Sequence, residues 1–186
     1  ICEEEGLELE FATPSGKIEF HSKKLAEAGF EPIPEFVPPE EPPPGMFRLL
    51  VGRAPTHSFG RTVNNRLLAD CYPENEVWLN DELAQEMGLQ AGDRVILTNQ
   101  DEAMAGPVKL RPTRRIRKDC VYMVHGWGTK QKQLTYAYDK GASDSDLMTR
   151  YKTDPIMGGT GMNVNFVTFL RAEDVDAAAA TKEESA

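Results

Sequence analysis

Two histidines carry most of the chemical potential in this sequence: His57, next to Ser58, and His125, inside His125-Gly126-Trp127-Gly128. His57 with Ser58 could be half of a hydrolytic pair, but no Gly-x-Ser-x-Gly elbow or third partner accompanies them. A hydrogen-bonding loop histidine is therefore the favoured reading. Arg53 follows Gly52 at the end of an apolar run, where the backbone can turn tightly and the guanidinium can reach a phosphate or carboxylate. A plain surface arginine is the alternative. Gly158-Gly159-Thr160-Gly161 has the look of a phosphate cradle, yet it lacks the Lys-Ser/Thr ending of a P-loop and precedes a strand rather than a helix, which excludes a nucleoside triphosphatase loop. Trp127 could stack on a planar ligand or plug a barrel end.

Other chemistries are excluded by spacing. Cys2, Cys71 and Cys120 form no Cys-x-x-Cys pair, and His21, His57 and His125 share no helical face, which argues against a metal held by this chain alone. Arg111, Arg114, Arg115, Arg117 and Lys118 flank a predicted turn without an aromatic residue, so they read as a solvated hairpin rather than a nucleic-acid stripe. No apolar run reaches the length of a membrane-spanning helix, and no secretory leader is visible. The first residue is Ile1 rather than Met, which suggests a piece of a longer polypeptide.

The net charge of −9 is unevenly distributed. Residues 1–44 hold 11 acidic and 3 basic side chains and residues 172–186 hold 5 and 1, leaving a centre, 45–171, with 17 basic and 14 acidic. A weakly basic body between acidic flanks suits an anionic ligand. Eight of the 13 prolines fall in 1–44, which reads as a proline-rich strap or linker. Within it, Gly16 to Phe20 is a candidate strand, and Ser22 a candidate cap for a helical turn from Lys23 to Ala28. The stretch 172–186 reads as an acidic tail.

In the centre, strands are predicted at Met46 to Val51, Glu76 to Leu79, Arg94 to Thr98, Val108 to Arg111, Cys120 to Val124 and Phe166 to Leu170, with a short helix from Asp81 to Met87 capped by Asn80. Many short strands and few helices favour a small closed barrel. The segments 52–75 and 125–165 remain as long connections rich in Gly, Ser, Thr and Asn, including Asn64, Asn65, Asn163 and Asn165, whose donors could surround phosphate or heterocycle oxygens.

The order of these segments resembles the C-terminal cofactor-binding domain of the dimethyl-sulfoxide-reductase family of molybdenum oxidoreductases. The residues that carry the resemblance are Thr13-Pro14-Ser15-Gly16-Lys17-Ile18-Glu19, Val51-Gly52-Arg53 followed by His57-Ser58, the block from Trp78-Leu79-Asn80 to Gly92-Asp93, and Asp154-Pro155 leading to Asn163. The flavour of the loops looks most like thiosulfate and polysulfide reductase catalytic subunits; formate dehydrogenases and arsenate and nitrate reductases share the scaffold.

The resemblance implies a mainly β fold with short helices, a double-psi β-barrel, that binds part of bis(molybdopterin guanine dinucleotide) carrying molybdenum. It places cofactor contacts on Gly52, Arg53, Thr56, His57, Ser58, His125, Gly126, Asp146 and Asn163. Several relatives have asparagine where Asp146 stands, and some have lysine where Asn163 stands. An ionised Asp146 would accept from pterin or guanine N–H groups rather than meet a phosphate. The metal ligand and an iron–sulfur cluster are expected in parts of the subunit outside this sequence, so the chain alone should be inactive, with neither a catalytic nor a metal-ligating residue of its own. By resemblance, the partners are the other domains of the subunit, an iron–sulfur electron-transfer subunit and a membrane anchor, outside the cytoplasmic membrane, with no nucleic acid. A non-cofactor interaction barrel is the rival reading. A cofactor of this length requires loops 52–60, 125–128 and 158–163 to meet on one face, with Gly52, His57, His125 and Asn163 around a common concavity.

Overall fold

The computed structural model describes residues 11–173, and the expected acidic tail lies almost wholly outside them. The chain divides after Glu40 into two compact units. In the first, Ser22 caps α1 (Lys23–Glu27), its hydroxyl accepting from the Leu25 amide, and Gly29, at φ 82°, closes the turn. The strand expected from Gly16 to Phe20 does not form. Gly16 is left-handed, the Thr13 hydroxyl donates to the Lys17 carbonyl to give a turn, and Phe20 stays exposed without a sheet edge to join.

The second unit is a closed barrel of six strands with the double-psi mix of parallel and antiparallel neighbours. Its strands are β1 (Phe47–Gly52), β2 (Glu76–Leu79), β3 (Arg94–Asn99), β4 (Met104–Pro112), β5 (Cys120–Val124) and β8 (Phe166–Arg171), in the order β1-β5-β2-β4-β3-β8, while β6 (Lys152–Thr153) and β7 (Thr160–Gly161) pair as a separate two-stranded ribbon. β1 runs parallel to β5 and β2 parallel to β4; the other contacts are antiparallel. Alternate residues point inward on the strands that face solvent on one side, as Val77 and Leu79 or Val95 and Leu97 do. With Leu49, Val108, Leu110, Val121, Met123 and Val167 they form a dry core. β4 begins at Met104, four residues before the expected start, because Met104 and Ala105 pair with β3 across a break in the register.

Strand direction decides where the connections lie. Gly52 pairs with Val124, Val77 with Met123, Thr98 with Met104, and Asn99 with Val167, so β1, β3 and β5 end where β2, β4 and β8 begin. Segments 53–75, 100–103 and 125–165 therefore all emerge at one rim of the barrel. The opposite rim carries α3 (Asp81–Glu86), capped by the Asn80 side chain, and the turn through 113–119. There Arg114 pairs with Asp81, Arg117 with Asp119, and Lys118 with Glu82 and Glu86, while Arg111 reaches Glu76 on β2. The basic stretch is solvated and ion-paired, but it is a crossover between β4 and β5, which β2 separates, and not the expected hairpin.

The 53–75 connection also contains α2 (Arg66–Cys71), capped by Asn65, which the sequence left as loop. The longer connection is fastened by asparagines. Asn75 donates to the Val124 and Ala142 carbonyls and accepts from the Ala142 amide; Asn64 accepts from Tyr136 and Ala137. Asn99 donates to the Leu147 carbonyl and Asn165 accepts from the amides of Thr149 and Arg150. Asn64 and Asn165 are thus internal fasteners rather than free ligand donors. Gly141, at φ 60°, is required beside Asn75, because a Cβ there would lie 2.0 Å from the amide oxygen. Asn75→Ala strands three buried backbone groups, and a loss of roughly 2–4 kcal/mol of unfolding free energy is expected in urea titrations. A change below about 0.5 kcal/mol would mean that the contacts are replaced by water.

Candidate functional site

β1 stops at Gly52 because Tyr122, on the adjacent β5, lies over it. A Cβ on Gly52 would come 2.5 Å from the tyrosine oxygen, and the hydroxyl donates to the Arg53 carbonyl at 3.0 Å. Gly52 therefore makes room for an aromatic ring of its own barrel. Beyond it Arg53 is exposed, and its guanidinium stacks on Phe59, 4.7 Å from the ring centre. Phe59 has φ 52°, a costly conformation for a bulky residue, and its ring meets His125 edge-on at 5.4 Å. The chain beneath is equally close: a Cβ on Gly126, at φ 109°, would lie 2.5 Å from the Gly60 nitrogen. Segments 52–60 and 125–128 are consequently in direct contact.

The two histidines are used in opposite ways. His57 is turned inward and buried. Its Nε2–H donates to the Tyr72 carbonyl at 2.9 Å, and its Nδ1 accepts from the Thr62 hydroxyl at 3.3 Å. The ring packs against Trp127 and Tyr72, and burial pushes the Tyr72 phenol up to about 12. With Ala54, Val63, Val124 and Ala137 around it, Trp127 is a plug rather than a stacking platform. The His125 side chain is 38% exposed. Its Nδ1–H donates to the carboxylate of Asp144 at 2.8 and 3.0 Å, and no hydrogen bond reaches its Nε2 among the described residues.

The arginines of the first rim connection are left uncompensated. By contrast, Arg94, Arg111, Arg114, Arg117 and Arg150 each have a carboxylate partner. Arg53, Arg61 and Arg66, all on the first rim connection, have none among the described residues; Arg61 donates to the Ser58 hydroxyl instead. Arg115, on the opposite rim, is likewise unpaired. In an acidic chain, an unpaired guanidinium on the wall of a groove, as Arg53 is, is a group that suits an anion.

A molydopterin dinucleotide binding domain profile matches residues 47–166, from the first residue of β1 to the first of β8. This chain belongs to that family. It is 30% identical over 171 residues to the thiosulfate reductase molybdopterin-containing subunit of Salmonella typhimurium, covering 90% of this chain and 22% of that protein. It is 28% identical over 173 residues to a probable dimethyl sulfoxide reductase chain of Escherichia coli K12, covering 83% and 21%. The chain thus spans about a fifth of the length of these curated relatives. Acetylene hydratase from Pelobacter acetylenicus shares the fold, with a TM-score of 0.63 at 17% identity over 88% of this chain and 24% of that one.

The donors at the rim of this molydopterin dinucleotide binding domain fit a dinucleotide: unpaired guanidiniums suit phosphates, and an open imidazole nitrogen suits a heterocycle. Arg53, Thr56, His57 and Ser58 line one groove with Ala54, Pro55, Thr62 and Leu68, whereas His125 and Asn163 lie outside it. The common concavity expected around Gly52, His57, His125 and Asn163 is thus not formed. Tyr122 fills the space at Gly52, and both His57 nitrogens are occupied internally. The Asn163 carbonyl accepts from Arg48, while Asp146 is exposed and makes no hydrogen bond among the described residues.

Asp144, two residues earlier, is the buried acid that the sequence reading passed over. The signal was spacing: in a 3-10 turn residues three apart share a face, so Asp144 goes inward with Leu147 and Asp146 points away. The turn is held to the barrel through Asp101, which accepts from Arg150, Thr149 and Gln100; these bonds lower its pKa to about 2. A depressed carboxylate stabilises the fold above its ordinary value of 3.8, and that contribution is lost as pH falls through about 2. The melting-temperature difference between the wild type and Asp101→Asn should therefore be constant above pH 3.8 and shrink towards zero by about pH 2. A difference unchanged at low pH would show that the carboxylate does not anchor the loop.

Proposed function

We propose that this chain is the domain of a molybdenum oxidoreductase catalytic subunit that holds part of bis(molybdopterin guanine dinucleotide), in an enzyme acting on the sulfur–sulfur bond of thiosulfate or polysulfide. The observation that carries the cofactor reading is the unpaired Arg53 guanidinium, held on Phe59 beside the open Nε2 of His125, on the rim where both long connections emerge. The substrate class rests on the likeness to the thiosulfate reductase subunit.

Each residue has a distinct task in this reading. Arg53, with Arg61 and Arg66 near it in the chain, offsets phosphate charge, and Phe59 keeps the guanidinium from collapsing onto the barrel. Thr56 and Ser58 contribute hydroxyl and backbone donors from the groove wall. His57, which cannot face a ligand while Tyr72 and Thr62 hold it, keeps that wall rigid. His125 and Gly126 supply the second wall. When bound, the cofactor supplies two-electron redox chemistry at its metal; the domain contributes binding, orientation and electrostatics. Further domains of the subunit, an iron–sulfur electron-transfer subunit and a membrane anchor complete the proposed assembly, outside the cytoplasmic membrane.

The test is Arg53→Ala in the full-length enzyme. A charge-assisted bond to a phosphate contributes about 1.5–3 kcal/mol, whereas an exposed, unpaired arginine contributes about 0–1 to folding. Molybdenum per polypeptide should fall clearly while the melting temperature of the 186-residue chain changes little. Full molybdenum content with a large drop in melting temperature would make Arg53 a structural residue and remove the reading's main support.

A further inference from the structure

Asp144 is 3% exposed, and the Nδ1–H of His125 is its one hydrogen-bond donor among the described residues. A buried carboxylate committed to a single imidazole needs a reason, because desolvation of the charge is costly: the buried fasteners Asn75, Asn99 and Asn165 at this rim are neutral, and the other carboxylate fastener, Asp101, stays partly in solvent and is paired with Arg150. We propose that Asp144 is a positioning residue. It fixes His125 as the Nδ1–H tautomer, so that Nε2 presents a lone pair to an N–H donor on the cofactor's heterocycle. This rests on the cofactor reading above and deepens it.

The chemistry follows from the inventory of imidazole. With the proton held on Nδ1 by the carboxylate, the neutral form of His125 is an acceptor at its exposed nitrogen, matched to ring or exocyclic N–H groups and mismatched to a phosphate oxygen. Charge recognition is then left to the unpaired arginines. The orientation is fixed from three sides: the Asp144 carboxylate at Nδ1, the Phe59 ring against the imidazole, and the His125 amide, which donates to the Gly52 carbonyl at 2.9 Å. Removing Asp144 leaves the last two in place and frees the proton to move to Nε2, where it would turn the acceptor into a donor.

Two measurements test this. In the isotope-labelled 186-residue chain at alkaline pH, long-range nitrogen–proton spectra should show His125 as the Nδ1–H tautomer, and Asp144→Ala should move the proton to Nε2. Asp144→Asn serves as the second variant if alanine disturbs folding, since its amide can turn its NH2 group towards Nδ1. In the full-length enzyme, Asp144→Ala and His125→Ala should each reduce molybdenum content about threefold or more, with the double variant no worse than His125→Ala. Retention of the Nδ1–H tautomer in both Asp144 variants overturns the proposal, as does full molybdenum content in Asp144→Ala when His125→Ala loses it. Full content in both His125→Ala and Arg53→Ala fails the cofactor reading itself and the proposal with it.

Discussion

Closing six strands into a barrel with two parallel pairs constrains everything else in this protein. Antiparallel neighbours can be joined by a two-residue turn, but a parallel pair needs a chain that crosses back over the barrel. β1 and β5 are parallel, β2 and β4 are parallel, and their polarity sends both long connections to the same rim. The rim is therefore built from segments far apart in sequence, and the site is as rigid as the contacts between those segments. Gly60 against Gly126 provides one of them, with backbone touching backbone.

Packing fastens part of each long rim segment: Ala54, Val63, Trp127 and Ala137 share one apolar cluster, and Ala142 and Leu147 join the barrel core. Much of the polar fastening falls to primary amides. Asn75, Asn99 and Asn165 are buried and Asn64 half-buried; each bonds backbone groups of the 125–165 connection, as a missing neighbouring strand would. An amide carries a donor and an acceptor and no charge, whereas an aspartate in its place would offer acceptors alone and add a negative charge to the rim.

The barrel was legible because its strands obey local rules. Glu76–Leu79 and Cys120–Val124 form as the apolar patterns predict, and Asn80 and Ser22 cap the helices expected of them. The site was legible in its segments but not in its orientations. Nothing in the neighbourhood of His57 distinguishes it from His125; the difference arises from Tyr72 and Thr62 in one case and Asp144 in the other, partners fixed only by the closed fold. The Gly52 glycine signal was sound as a mark of close approach, but what approaches is Tyr122 of the neighbouring strand. Asp146 was singled out by motif matching, while a single turn of 3-10 helix selects Asp144 as the buried member. Side-chain direction in a long irregular connection is a tertiary property, and sequence periodicity carries no record of it.

The strained backbone at Phe59 links these observations. A bulky residue in the left-handed region persists only where its surroundings over-determine it, and here three contacts do so: the Arg53 guanidinium above, the His125 ring beside, and the Gly126 backbone against the next peptide. An ordinary extended Phe59 would carry the ring away from both Arg53 and His125 and separate the two sources of recognition. The strain is a cost at one residue. It keeps the Arg53 guanidinium and the His125 imidazole in contact with one aromatic ring, and the closed rim, rather than either residue alone, sets their spacing.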